Sequence, residues 1–76
     1  IDVLDPTHAP GTGAPEVGSL YYEELRDSLV HLAGKHRIVA FDMVEVAPPY
    51  DHAELTTMPA SRLIIDILGA VFPPRP

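Results

Sequence analysis

Hydrophobic and polar positions along the chain fall into four successive patterns. Ile1-Asp2-Val3-Leu4 opens as a short apolar stretch, read as the end of a buried strand. Residues 5–18 follow as a loop carrying Pro6, Pro10, Pro15, Gly11, Gly13 and Gly18. Proline fixes φ and removes a donor while glycine opens positive φ, so such a loop has a defined path without regular structure. Tyr22, Leu25, Leu29 and Leu32 then recur at three- and four-residue spacing, which puts them on one helical face. The predicted helix covers about 19–33, with Ser19 as N-cap, Glu23 and Glu24 early, where the helix dipole favours negative charge, and Gly34 as its stop.

Residues 37–46, Arg37 to Val46, are nearly continuous apolar and rich in β-branched side chains, a pattern that predicts a strand buried on both faces. Pro48-Pro49 stops it. After a polar loop from Tyr50 to Glu54, Thr56 or Thr57 can cap a last helix that tolerates Pro59 in its first turn. Ala60, Leu63, Ile64, Ile67, Leu68 and Val71 form its apolar stripe; Gly69 weakens its end, Pro73-Pro74 terminates it, and the tail from Phe72 is expected to fray. Strand, helix, strand within about forty residues is a βαβ unit with a right-handed crossover. The predicted architecture is therefore βαβα, a piece of an α/β parallel sheet whose two apolar strands lack neighbours in the sequence.

Composition narrows the function. Seventy-six residues allow one small domain with a marginal core. The absence of cysteine removes disulfides, thiolate nucleophiles and zinc–cysteine clusters. A formal net charge of −6 without any basic run argues against nucleic-acid binding, which needs clustered Lys and Arg. No apolar run approaches a membrane span and no signal-peptide pattern appears, so a cytoplasmic setting without membrane partners is expected.

Asp2 and Glu45 lie near the C-terminal ends of the two predicted strands. In parallel strands both carboxylates share one sheet edge, the edge at which open α/β sheets bind ligands. For Asp2 two readings stand: a cap on the following loop or a metal ligand. For Glu45 the plain alternative to a site role is a solvated residue where the strand emerges. Asp5 suits a loop-fixing role through backbone N–H groups. Asp42, on the face opposite Glu45 by alternation, reads as a paired structural carboxylate. His31 and His36 are surface residues at a helix end and His8 has no assigned role. His52 reads as a loop-ordering residue first and a substrate contact second.

Asp2-Val3-Leu4-Asp5-Pro6, followed by Ala9-Pro10-Gly11-Thr12-Gly13 and Pro15, resembles the signature of the ureohydrolase (arginase and agmatinase) family. A second block from Phe41 to Glu54, including Glu45-Val46-Ala47-Pro48-Pro49-Tyr50-Asp51-His52, resembles its agmatinase branch near the C-terminus. The resemblance covers essentially the whole chain but only the last part of a family domain. It implies a three-layer α/β/α domain with a parallel sheet, of which residues 1–76 are the C-terminal part and the upstream part is absent. An opening inside an apolar strand, without an initiator methionine, leads to the same expectation of a fragment.

The resemblance further implies a binuclear Mn²⁺ cofactor. Asp2 matches the second aspartate of the family's metal-binding DxD; the first would precede Ile1, and the remaining ligands belong to upstream motifs. Oxygen donors and imidazoles suit manganese. Glu45 matches the glutamate that receives the substrate guanidinium. The implied activity is hydrolysis of agmatine or a guanidino-acid to urea and an amine, by a homo-oligomeric parent; the fragment alone is expected to be inactive. Ala14 and Val17-Gly18-Ser19 depart from the family's commoner Thr and Pro-Gly-Gly, which leaves the metal motif intact but alters the loop behind substrate preference. The alternative is a non-catalytic fragment or degenerate homologue that packs against another chain through its open sheet edge.

Overall fold

A computed structural model describes residues 1–72. Its regular elements are helix α1, Tyr22–Lys35, a 3₁₀ turn at Pro48–Tyr50, and helix α2, Thr57–Val71. The two helices pack on one another. Leu63 and Ile67 of the predicted stripe are buried with Ala60, and together with Ile1, Leu4 and Ala9 they make the core. Tyr22, Leu25 and Leu29 pack against it from α1, and Met43 and Val46 from the extended segment. Toward the end of the stripe Leu68 is exposed, while half-buried Val71 still packs against the core.

The first helix starts later than the apolar spacing predicts. Ser19 is not its cap, because the Ser19 hydroxyl donates to the Glu16 carbonyl at 2.7 Å. Leu20 is tied to the opening stretch: its N–H donates to the Val3 carbonyl (3.0 Å) and its carbonyl accepts from the Asp5 N–H (2.7 Å). These bonds hold residues 19–20 extended, and Leu4 and Leu20 form an isolated parallel bridge. The chain is therefore free to turn helical only from Tyr22. There Glu24 reaches back to accept from the Tyr21 N–H at 3.0 Å, one half of a capping box. The helix runs through Gly34 to Lys35 and closes with the His36 N–H on the Leu32 carbonyl at 2.9 Å.

The expected parallel sheet is not formed among the described residues. Residues 1–4 make a turn, with Leu4 N–H on the Ile1 carbonyl at 3.1 Å. Residues 37–47 run without helix or strand pairing, and the side chains expected to be buried on both faces are largely open, Val39 at 84% and Val44 at 52%. A ladder needs consecutive bonds to a neighbouring strand. This segment has two isolated backbone ties to the loop regions, the Ile1 amino group to the Val44 carbonyl (3.1 Å) and the Ala47 N–H to the Gly11 carbonyl (2.8 Å).

Helix α2 begins where the Thr56-Thr57 pattern predicts, with Thr56 at the N-cap position and Pro59 within the first turn, where a missing N–H costs nothing, but the Thr56 side chain makes no cap bond. It ends at Val71, with the Phe72 N–H on the Leu68 carbonyl at 2.8 Å. The stop expected at Pro73-Pro74 lies outside the described residues. Among the described residues no helix is long and apolar enough to cross a membrane.

Candidate functional site

The bond from the Ile1 amino group to the Val44 carbonyl, 3.1 Å, fixes the register that matters. Ile1 precedes Asp2 and Val44 precedes Glu45, so the backbone positions immediately before the two candidate carboxylates are joined. Asp2 is half-buried and Glu45 is exposed. Glu45 also has φ of 73°, in the left-handed region where a side chain other than glycine is strained. Left-handed non-glycine residues persist where surrounding contacts over-determine them, and they gather at functional sites. Asp42, expected to be a paired carboxylate, is exposed on the open part of the same segment.

The loop of residues 5–18, which follows Asp2 and meets Ala47 through Gly11, is held by Asp5. One Asp5 oxygen accepts from the Thr7 N–H (2.9 Å) and the Thr7 hydroxyl (2.7 Å), and the other from the Gly18 N–H (2.8 Å). These bonds, led by the Thr7 hydroxyl, hold the Asp5 carboxyl below the usual carboxylate range even though burial works against them. The loop-fixing role read from the sequence is therefore what Asp5 does. His8, left without a role, has one: its Nδ1 accepts the Tyr22 N–H at 3.2 Å, satisfying a free donor of the first turn of α1. Its ring stacks on Tyr21 at 4.5 Å between centroids. Nothing in the spacing of His8 announces this contact.

Asp51 gathers the start of α2. One oxygen accepts the N–H groups of His52 and Thr56, each at 3.0 Å. The second accepts the Thr57 N–H (3.0 Å) and hydroxyl (2.9 Å). Burial pushes the Asp51 carboxyl up, but the bonds from Thr57 and Thr56 outweigh it and bring it down to about 2. The Thr56 hydroxyl also accepts the Gly11 N–H at 2.6 Å. A carboxylate shortly before a Thr-Thr pair was the available sequence signal for Asp51, since negative charge favours a helix N-terminus. His52 orders the loop with its backbone, donating to Asp51 and accepting the Leu55 N–H at 2.9 Å. Thr12 is buried, and its hydroxyl has no hydrogen-bond partner among the described residues.

A metal centre is not assembled by these residues alone. Among the described residues no group of three or more His, Cys, Asp or Glu side chains comes close enough to hold a metal ion. The half-buried carboxylate of Asp2 is a hard oxygen donor of the right chemistry for manganese, but a single one.

Comparison with known proteins bears on the family and the fold. The model of the arginase family matches residues 1–69. An agmatinase from Bacillus cereus is 49% identical over 69 residues, an alignment that takes in 90% of this chain and 24% of the relative. Among solved structures, the proclavaminate amidino hydrolase of Streptomyces clavuligerus superposes with a TM-score of 0.86 at 38% identity, over 92% of this chain and 23% of that one. An arginase from Bacillus subtilis superposes with a TM-score of 0.82 at 38% identity, over 90% of this chain and 24% of that one. The chain thus spans about a quarter of the length of the relatives it matches, and its backbone follows part of the arginase-type α/β fold. On the family match and these likenesses together, the chain belongs to the arginase family.

Proposed function

We propose that residues 1–76 are the C-terminal part of a single ureohydrolase domain, and that the complete protein hydrolyses a guanidino substrate, agmatine or a guanidino-acid, to urea and an amine. One observation carries the assignment to these residues. Glu45 is held in a left-handed conformation in register with Asp2, across the Ile1–Val44 bond, within a chain of the arginase family. The 49% identical relative is an agmatinase, which supports a decarboxylated or otherwise altered arginine skeleton as substrate.

In this reading Glu45 accepts two parallel N–H bonds from the guanidinium, matching both its charge and its plane. The guanidino carbon is thereby fixed for attack by water, and breakage of its bond to the alkyl nitrogen releases urea and the amine. Asp2 would supply one oxygen donor to a bound manganese pair, the other ligands being contributed from outside residues 1–76. Manganese, when bound, contributes Lewis-acid polarisation of the reacting oxygen. A chain that supplies one metal ligand and one recognition group does not turn over substrate unaided, so the 76 residues alone are expected to be inactive.

The test is urea release by the complete protein, with manganese added, from agmatine, arginine and guanidino-acids of graded chain length. Turnover of one of them above the others is expected. Absence of urea from the whole series, in a folded protein with full metal content, would overturn the assignment.

A further inference from the structure

The left-handed backbone at Glu45 needs a cause, and it is found outside the segment itself. Two residues beyond Glu45, the Ala47 N–H donates to the Gly11 carbonyl at 2.8 Å. Gly11 is itself immobilised: its N–H donates to the Thr56 hydroxyl at 2.6 Å, and Thr56 is fully buried. A β-carbon on Gly11 would stand 2.7 Å from Asp51 Cβ and 2.8 Å from Asp51 Cα, closer than real side-chain carbons come. Gly11 is thus glycine because Asp51 occupies the space beside it. Asp51 is locked in turn by N–H groups at the start of α2 and by the Thr57 hydroxyl. Pro48–Tyr50 connects the two ends as one 3₁₀ turn, with the Tyr50 N–H on the Ala47 carbonyl (2.9 Å) and the Asp51 N–H on the Pro48 carbonyl (3.0 Å). The result is a closed ring of contacts, α2 N-terminus to Asp51 and Thr56, to Gly11, to Ala47, and back through the turn.

We propose that Asp51, acting through Gly11 and Thr56, is a positioning residue that sets where the Glu45 carboxylate stands. The inference rests on the role given to Glu45 above. Glu45 is exposed, so burial of its own side chain among the described residues is not what holds its backbone left-handed. The anchors that can do so are the Ile1–Val44 bond before it and the Gly11–Ala47 bond after it, of which the second depends on Asp51. Loosening that second anchor lets Glu45 relax toward ordinary extended geometry, and the carboxylate leaves the place where a guanidinium would meet it. Misplacement by about 1 Å far from the reacting atoms can cost on the order of a hundredfold in rate.

The experiment is a double-mutant cycle in the complete metal-loaded protein, with Asp51→Asn, Glu45→Gln and the pair together. Asp51→Asn keeps the side-chain shape but removes the charge and one acceptor. The expected result is a fall of about tenfold to a hundredfold in kcat/KM on a guanidino substrate, with manganese content unchanged and with no further fall when Asp51→Asn is added to Glu45→Gln. Fully additive losses, or a loss that tracks metal content, would overturn the positioning role and leave Asp51 as a fold element. Should Asp51→Asn not fold, Thr56→Val and Thr56→Ser take its place. Thr56→Ser keeps the acceptor for Gly11 and is expected to restore the activity that Thr56→Val loses; equal activity of the two overturns the proposal. If Glu45→Gln itself leaves kcat/KM intact, the role of Glu45 has failed instead, and the cycle separates that outcome from failure of the clasp.

Discussion

The Tyr22 hydroxyl donates to Asp66 Oδ2 at 2.7 Å and so joins the start of α1 to the middle of α2. Arg62 completes the group from one turn away, its Nε 3.1 Å from the other oxygen of Asp66. Burial, then the neighbouring Asp66 carboxylate, pushes the Tyr22 hydroxyl up to about 12. A raised value means stability that is whole below the ordinary 10.0 and is lost as pH climbs toward 12. Alkaline spectrophotometric titration should therefore show one tyrosine ionising last, and Asp66→Asn should bring it part of the way back. Tyr22→Phe, which removes the bond, should lower the Tm of the complete protein by about 2 °C. An unchanged late transition in Tyr22→Phe would assign it to another tyrosine.

Acid should act on Asp51 in the opposite direction. Its carboxyl is held at about 2, against an ordinary 3.8. A lowered value means stability that is whole above the ordinary value and lost as pH falls through the folded one. Acid unfolding of the complete protein should accordingly have a component between about pH 5 and pH 2 that is missing from Asp51→Asn. Asp5 and Asp66 are lowered as well, Asp5 first by the Thr7 hydroxyl and Asp66 first by the Tyr22 hydroxyl, so the variant should flatten the acid limb without abolishing it. Identical acid limbs with and without Asp51 would contradict the geometry.

For the metal, Asp2→Ala in the complete protein should lose one manganese ion and nearly all activity, because each hard oxygen donor matters in a site with few of them. Two ions per subunit retained in that variant would take Asp2 out of the site.

For the substrate, Glu45→Gln should behave differently. It keeps shape but turns a charged acceptor into a neutral group that is half donor. A loss of at least about a hundredfold in kcat/KM, on the order of 3 kcal/mol, is expected with metal content unchanged. Normal turnover would make Glu45 a surface residue, and lost manganese would make it a ligand.

Helices and loop chemistry were legible in the sequence because their signals are local. The three-four spacing of Tyr22, Leu25 and Leu29, the Thr56-Thr57 start and the hydrogen-bonding of Asp5 all depend on residues a few positions away. The start of α1 was missed because the bonds that hold Leu20 extended come from Val3 and Asp5, across a loop. His8 and Asp51 were missed for related reasons: one side chain serves a helix fourteen positions on, and the space beside the other is defined by Gly11. The apolar run at 37–46 reads as a buried strand because its composition is set for neighbours on both faces, and among the described residues those neighbours are not there.

That open run has a measurable consequence. Val39 at 84% and Phe41 at 43% exposure border an apolar cavity of about 230 Å³ shared with Leu68, Val71 and Phe72. The isolated 76-residue chain should bind a hydrophobic dye strongly and unfold without a cooperative transition. A sharp thermal transition with little dye bound beforehand would show that the chain is self-sufficient.

The bond between Gly11 and Thr56 spans 45 positions, whereas Asp51 reaches Thr56 and Thr57 across five and six. In kinetic terms the two halves of the clasp then belong to different stages of folding. Closing the short loop costs little entropy, so Asp51 can organise the start of α2 while most of the chain is still searching. On this ordering Gly11 meets Thr56 late in the folding of the complete protein, because closing a 45-residue span costs more entropy than closing one of five or six. Substitutions at Gly11 should therefore leave the folding rate nearly untouched and appear as faster unfolding, whereas those at Asp51 should slow folding as well.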